Sequence, residues 1–183
     1  MSPSTSTIER NVKVAADGGA KGTRRQGAER GFTAPKELTD ALQQVLVDLI
    51  ELHIQGKQAH WNVVGKNFRD LHLQLDEIID SAREFSDTVA ERMRALHAVP
   101  DGRSDTVAAT TTLPEYPNGE VDTAETVDLV TVRLESVTAT MRDVHDTVDD
   151  ADPTSADILH AIIEQLEQYA WMVSAENRKA TAK

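Results

Sequence analysis

Apolar residues recur every three or four positions over four stretches of the chain, the period of a helix with one buried face. The first stretch holds Leu38, Leu42, Val45, Leu46, Leu49 and Ile50. It predicts a helix capped by Thr33, tolerant of Pro35 in its first turn and ending near Val64, where Gly65 can stop it. A second helix follows with Asn67 as cap and Asp70 in its first turn. Its apolar stripe is Leu71, Leu75, Ile78, Ile79, Ala82, Phe85, Val89, Met93 and Leu96. From Pro100 to about Val121 the period is lost, and Pro114, Pro117 and Gly119 break any long element. This stretch reads as a crossover, with room for a short helix in 105–111. The clearest period is Val127, Val130, Leu134, Val137, Met141, Val144 and Val148, with Asp122 and Glu125 as a cap pair. After Asp149-Asp150-Ala151-Asp152-Pro153, the stripe Leu159, Ile162, Leu166, Tyr169 and Val173 marks a fourth helix. Both of these last stripes are expected in the core.

Two helices joined by a tight turn, a long proline-bearing connection, then two more helices define an all-α four-helix bundle. The long connection lets the second and third helices run parallel, and this is the connectivity of ferritin-like folds. Residues 1–31, rich in Ser, Thr, Gly and Ala with no apolar period, read as a flexible basic N-terminal arm. Residues 32–176 form the bundle, and residues 177–183 a short basic C-terminal tail.

Composition narrows the chemistry. Hydrophobic residues make up 39% of the chain and aromatics only 4%, so the core must be aliphatic. No run of about 18 apolar residues occurs, so no membrane span is expected. The first thirty residues lack the apolar region of a secretory signal. With no cysteine, disulfides and thiolate metal sites are excluded, a cytoplasmic location is expected, and any metal must be held by His, Asp and Glu. The net charge of −12 is uneven: the arm and the C-terminal tail are each +3, leaving −18 on the body. Such a body repels DNA, and only the arms could attract it.

Position singles out a few of the six histidines. His60 and His72 lie at similar distances on either side of the Gly65 turn, so on antiparallel helices they face each other. Asp76 is one turn beyond His72 on the same face. Two imidazoles and a carboxylate suit iron, manganese or zinc. Asp87 and Glu91 form a second acidic pair, nearly three whole turns from Asp76 and therefore on that face too. The eleven-residue offset is about 16 Å along the axis, too far for one ion with bonds near 2 Å. Two copies of the second helix, packed antiparallel about a two-fold axis near Ser81 and Ala82, would remove the difficulty. Asp76 would face the partner's Asp87 and His72 the partner's Glu91, giving two identical sites per dimer. Histidines in helical hairpins more often serve the core than hold metal, and acidic pairs usually face solvent. Spacing alone leaves both readings open.

The segments Lys57-Gln58-Ala59-His60-Trp61-Asn62, Gly65-x-Asn67-Phe68, Leu71-His72-x-x-Leu75-Asp76 and Asp87-x-x-Ala90-Glu91-Arg92 resemble the signature of Dps, the DNA-binding protein from starved cells. The resemblance runs over about 33–176, through Asp157-Ile158-Leu159 to Trp171. It implies a homo-oligomer of twelve subunits built from two-fold dimers, a hollow shell, and oxidation of ferrous iron preferentially by hydrogen peroxide. By position, His60, His72, Asp76, Asp87 and Glu91 match the family's ferroxidase ligands, including their division between two chains. The acidic three-fold pores of the family fall at the turn into the fourth helix, which makes Asp149 and Asp157 the candidates for iron entry. The competing role there is helix capping, by Asp152 before Pro153 and by a Thr154-x-x-Asp157 box. Leu73 departs from the acidic residue common after the motif histidine, and the arm is long for the family.

Trp61 is expected to pack the site or to intercept a stray oxidising equivalent, and Trp171 to pack. Lys57 either pairs with a nearby carboxylate or is solvated. His53, His97, His145 and His160 have no convergent partners in this reading and are expected to be structural or solvent-facing. The alternative function is DNA compaction through arms carrying Lys21, Arg24 and Arg25, with nucleoid association. A bacterioferritin-like site within one chain would need Glu-x-x-His pairs, and none occurs.

Overall fold

The computed structural model describes residues 31–181, so the N-terminal arm other than Gly31, with Lys21, Arg24 and Arg25, lies outside the described residues. Among the described residues the order is α1 (Lys36–Asn62), β1 (Val63–Val64), α2 (Phe68–Ala95), α3 (Ser104–Thr110), β2 (Val121–Asp122), α4 (Thr123–Ala151) and α5 (Pro153–Ala175). The long crossover and the short helix inside it are as expected; the four long helices form the bundle. Among the described residues no helix is long and apolar enough to cross a membrane.

The helix ends correct several expectations. Pro35, not Thr33, occupies the N-cap of α1, in an extended conformation. Its carbonyl accepts the amide of Thr39 at 3.1 Å and starts the ladder. At the other end α1 stops at Asn62, two residues early, because Val63 and Val64 leave the helix to pair in parallel with Val121 and Asp122. β-branched residues lose little in an extended backbone, and this pairing occupies the backbone groups that a longer helix would have used. Gly65 then turns with φ of 123°, where an added Cβ would be strained and would sit 3.2 Å from Thr123 Oγ1. Asn67 precedes α2 as expected, but its side chain makes no cap bond. It adopts the left-handed conformation that Asn tolerates, and its carbonyl accepts from Asp70 and Leu71. At α4, Asp122 Oδ1 accepts the Glu125 amide at 3.0 Å, the anticipated cap. At α5 the N-cap is Asp152 with Pro153 as first residue, so Thr154 is already helical and cannot start a capping box.

The stripes read from the sequence face inward, with Ile50, Phe85, Val144 and Tyr169 only half-buried at the margin of the core. Three contacts fix the helix directions. Ala34 N donates to Leu96 O at 3.0 Å, joining the start of α1 to the end of α2. Asn177 Nδ2 donates to Ala124 O and Asp128 Oδ1, both at 2.7 Å, joining the end of α5 to the start of α4. Arg92 near the end of α2 reaches Asp152 and Ser155 at the start of α5. The ends of α2 and α4 thus lie at one pole, and the two helices run parallel, as the crossover requires.

Two buried polar groups hold the crossover down. Asp48 is fully buried and accepts from Gln44, the Thr111 hydroxyl, the Thr112 amide and hydroxyl, and the Thr140 hydroxyl. Arg133 is also buried, donating to Gln55 and to the carbonyls of Leu129, Pro114 and Glu115, with Tyr116 4.8 Å beneath its guanidinium. Neither charge is left without partners, which is the condition for burying it.

Candidate metal centre

α1 delivers His60 in its last turn, and α2 delivers His72 and Asp76 in its second and third turns, so the tight Gly65 turn sets their approach. One ligand atom from each of the three lies within 4.8 Å of the others, the arrangement the spacing predicted. The two imidazoles stack with centroids 3.6 Å apart and planes tilted by 27°. His72 Nδ1 is 3.1 Å from the carbonyl oxygen of His60. A carbonyl can only accept, so Nδ1 carries the proton and Nε2 keeps its lone pair, the usual preparation of a metal-binding histidine.

His60 is more telling. Its side chain is 12% exposed, and both ring nitrogens lack a well-formed hydrogen bond. Nε2 does lie 3.0 Å from Asp76 Oδ2, but the approach misses the direction of an N–H donor, so this is a charge contact at most. Buried polar atoms left in this state are uncommon, and an incoming cation would satisfy the nitrogen that carries the lone pair. Asp76, 42% exposed, also takes Lys57 Nζ at 2.8 Å. The Lys57 ammonium does most to hold its carboxyl below the usual carboxylate range; desolvation opposes it, and His60 adds a lesser pull downward. Lys57 is therefore paired rather than solvated.

Asp87 and Glu91 are exposed on the outer face of α2, and neither joins the trio within this chain. Asp87 lines an open cavity of about 590 Å³ between α1, α2 and the crossover, with Leu46, Ile50, Arg83 and Gly102. The small residues expected at a two-fold contact point elsewhere: Ala82 is fully buried in its own core, and the Ser81 hydroxyl bonds the Tyr169 hydroxyl at 2.9 Å. They are small for packing within the subunit. The outer face instead presents Ile54, Trp61, Val64, Phe68 and Leu73 to solvent. Trp61 is 70% exposed and does not pack into its own chain; Trp171, at 63%, corrects the packing expected of it in the same way.

Asp149 and Asp157 are both exposed, flanking the turn between α4 and α5. Asp152 is committed elsewhere, since Arg92 Nη2 lies 2.6 Å from its carboxylate and the Ser155 hydroxyl donates to it. Burial works against the ionised form of Asp152, but these two donors hold its carboxyl below the usual range. Half-buried His53 has its pKa lowered by burial and then by Arg83 and Lys57, and His97 adopts a positive φ of 62° just after α2. The expectation that His145 and His160 lack partners is wrong: their Nε2 atoms are 2.7 Å apart. The signal was available, because the two stand equally far from the Asp152–Pro153 turn, much as His60 and His72 stand at similar distances from theirs.

A family model described as a ferritin-like domain matches residues 39–181. DNA protection during starvation protein 2 of Deinococcus radiodurans is 36% identical over 76% of this chain, although the match spans only 58% of that protein. DNA protection during starvation protein of Mycolicibacterium smegmatis is 32% identical over 79% of each chain. The solved structure of Dps from Microbacterium arborescens in the high iron form superposes with a TM-score of 0.71 at 30% identity, covering 80% of this chain and 98% of that one. The fold and site thus define a ferritin-like protein, and the chain belongs to the Dps family within that superfamily.

Proposed function

We propose that this chain oxidises ferrous iron at sites shared between two subunits and stores the ferric product within a hollow, twelve-subunit homo-oligomer. The observation that carries the reading is the pair of buried, unsatisfied ring nitrogens on His60, clustered with His72 and Asp76. Three donors converge and two acidic residues wait nearly three turns along the same helix, which supports completion by Asp87 and Glu91 of a second copy. The exposed apolar face around Trp61, Phe68 and Leu73 supports such burial. The relative crystallised in a high iron form supports iron as the substrate.

Each residue then has a distinct part. His72, oriented by the His60 carbonyl, and His60 give neutral nitrogen donors that accept Fe²⁺ without charge repulsion. Asp76, with Asp87 and Glu91, supplies negative charge that favours the harder Fe³⁺ as an electron leaves. Lys57 holds one oxygen of Asp76 until iron displaces it. Hydrogen peroxide is the proposed oxidant: two ferrous ions give one electron each, the O–O bond breaks, and two protons complete two waters, with no hydroxyl radical released. Trp61 stands next to His60 to take up a stray oxidising equivalent. Asp149 and Asp157 would line the acidic entrance where three copies meet.

Complementation tests the division of the site. A chain carrying His72→Ala and Asp76→Ala is mixed with one carrying Asp87→Ala and Glu91→Ala, and the reassembled protein is assayed for peroxide-dependent ferrous oxidation. Each mixed dimer retains one whole site, so activity should return in the mixture and be absent from either chain alone. Assembly of both chains without recovered activity would refute the shared site.

The relatives' names, protection of DNA during starvation, support a second reading in which the basic arms bind DNA. A gel shift at low and moderate salt, comparing the full chain with one lacking residues 1–31, decides it: no shift with either removes DNA from the account.

A further inference from the structure

On α4 and α5, away from the candidate iron centre, His145 and His160 form a second imidazole pair. Their Nε2 atoms are 2.7 Å apart, and the rings stack with centroids at 4.6 Å and planes 29° apart. Each ring also has a carboxylate at its other nitrogen: Asp146 Oδ1 lies 3.5 Å from His145 Nδ1, and Asp157 Oδ1 lies 3.8 Å from His160 Nδ1. At 2.7 Å the two Nε2 atoms either share one proton or, once it leaves, turn two lone pairs toward each other. Two lone pairs at this distance repel unless a cation lies between them.

The surroundings favour one. The pair opens into a cavity of about 490 Å³ lined also by Arg142, Asp146, Ile163 and Glu164. Arg142 is paired with Glu167, so its charge is compensated, and the carboxylates of Asp146 and Glu164 make the cavity net acidic. Glu164 follows His160 by one helical turn, the spacing at which two ligands share a helix face.

We propose that His145 and His160 bind a borderline divalent transition metal, of the class of zinc, cobalt, nickel or copper, through their two Nε2 atoms. Water completes the shell, Glu164 adds negative charge to the cavity wall, and Asp146 steadies the His145 ring from behind. Metal–nitrogen bonds of about 2.0–2.1 Å in tetrahedral geometry place two nitrogens about 3.3 Å apart, so the rings need open by only about 0.6 Å. The bound ion would clip α4 to α5 beside their turn. This site owes nothing to the iron centre: it uses other helices, and no residue is common to both.

Zinc alone is the probe. Metal-free, assembled full-length protein is titrated with Zn²⁺ by calorimetry as wild type, as Asp76→Asn to weaken the first centre, and as His145→Gln/His160→Gln. The wild type and Asp76→Asn should both bind one zinc per chain that the double variant binds at least tenfold more weakly. Zinc should also raise the thermal midpoint of Asp76→Asn and not that of a variant carrying Asp76→Asn together with His145→Gln and His160→Gln. Should the double variant fail to assemble, His160→Gln alone, at an exposed position, should show the same tenfold loss. Equal zinc binding with and without the imidazoles would overturn the site and leave the pair merely sharing a proton. That result would not touch the iron reading.

Discussion

Gly56 on α1 faces Ile79 on α2 so closely that a Cβ at position 56 would stand 2.8 Å from Ile79 Cγ1. In an isolated helix, Gly→Ala is favourable by about 1 kcal/mol. Here the methyl would force α1 and α2 apart, and overpacking of this kind costs about 1–3 kcal/mol. Gly56→Ala should therefore lower the midpoint of urea unfolding, and Ile79→Ala should recover part of the loss in the double variant. Because the same two helices carry His60 and His72, the variant should also weaken metal binding at the first centre more than its global stability explains.

Asp48 collects donors from α1, α4 and the crossover into one carboxylate. Asp48→Ala leaves several of them unpaired, at a cost of about 2–4 kcal/mol. Urea unfolding measures the loss. Hydrogen exchange should show it concentrated in the amides of 110–113, since Thr112 N loses its acceptor.

Lys57 is the largest influence holding the Asp76 carboxyl below its ordinary range. Replacing it with Gln should move that titration upward, followed by carbon-detected NMR of the Asp76 carboxyl. A depressed carboxyl adds stability that is present above its unfolded pKa and is lost as pH falls through the folded one. Asp76 is partly exposed, so the effect on unfolding should be small while the NMR shift is clear.

The Arg92–Asp152 bridge carries the same sign at a less exposed place. Arg92→Met should destabilise the bundle at pH 7 by about 1–3 kcal/mol. As pH falls below the usual carboxylate range, Asp152 is protonated in both proteins and the difference between them should shrink. A difference that stays constant from pH 7 to pH 2.5 would show that the charge pair contributes nothing.

The helices were legible because each hides one continuous apolar stripe, and a stripe such as Val127 to Val148 has a single geometric reading. The His60–His72–Asp76 trio was legible for a related reason: a short turn fixes the register of two antiparallel helices. What escaped depended on contacts between segments remote in sequence. Nothing local in Val63-Val64 announces pairing with Val121-Asp122, and that pairing shortened α1. Ala82 belongs to the apolar stripe, but Ser81 is small on either face, and only its bond to Tyr169 shows that it serves its own subunit. The pairing of His145 with His160 was within reach, since the arithmetic applied to the first hairpin works on the second.

The three donors of the first centre all belong to one hairpin, closed by the turn at Gly65. Contacts so near in sequence form early when a chain folds, because little loop entropy opposes them. On the ribosome, His60, His72 and Asp76 could come together before α4 and α5 have been made. A nascent chain could then capture metal before any partner exists, and under the proposed division of the site that early-held ion would wait for a second subunit before reacting.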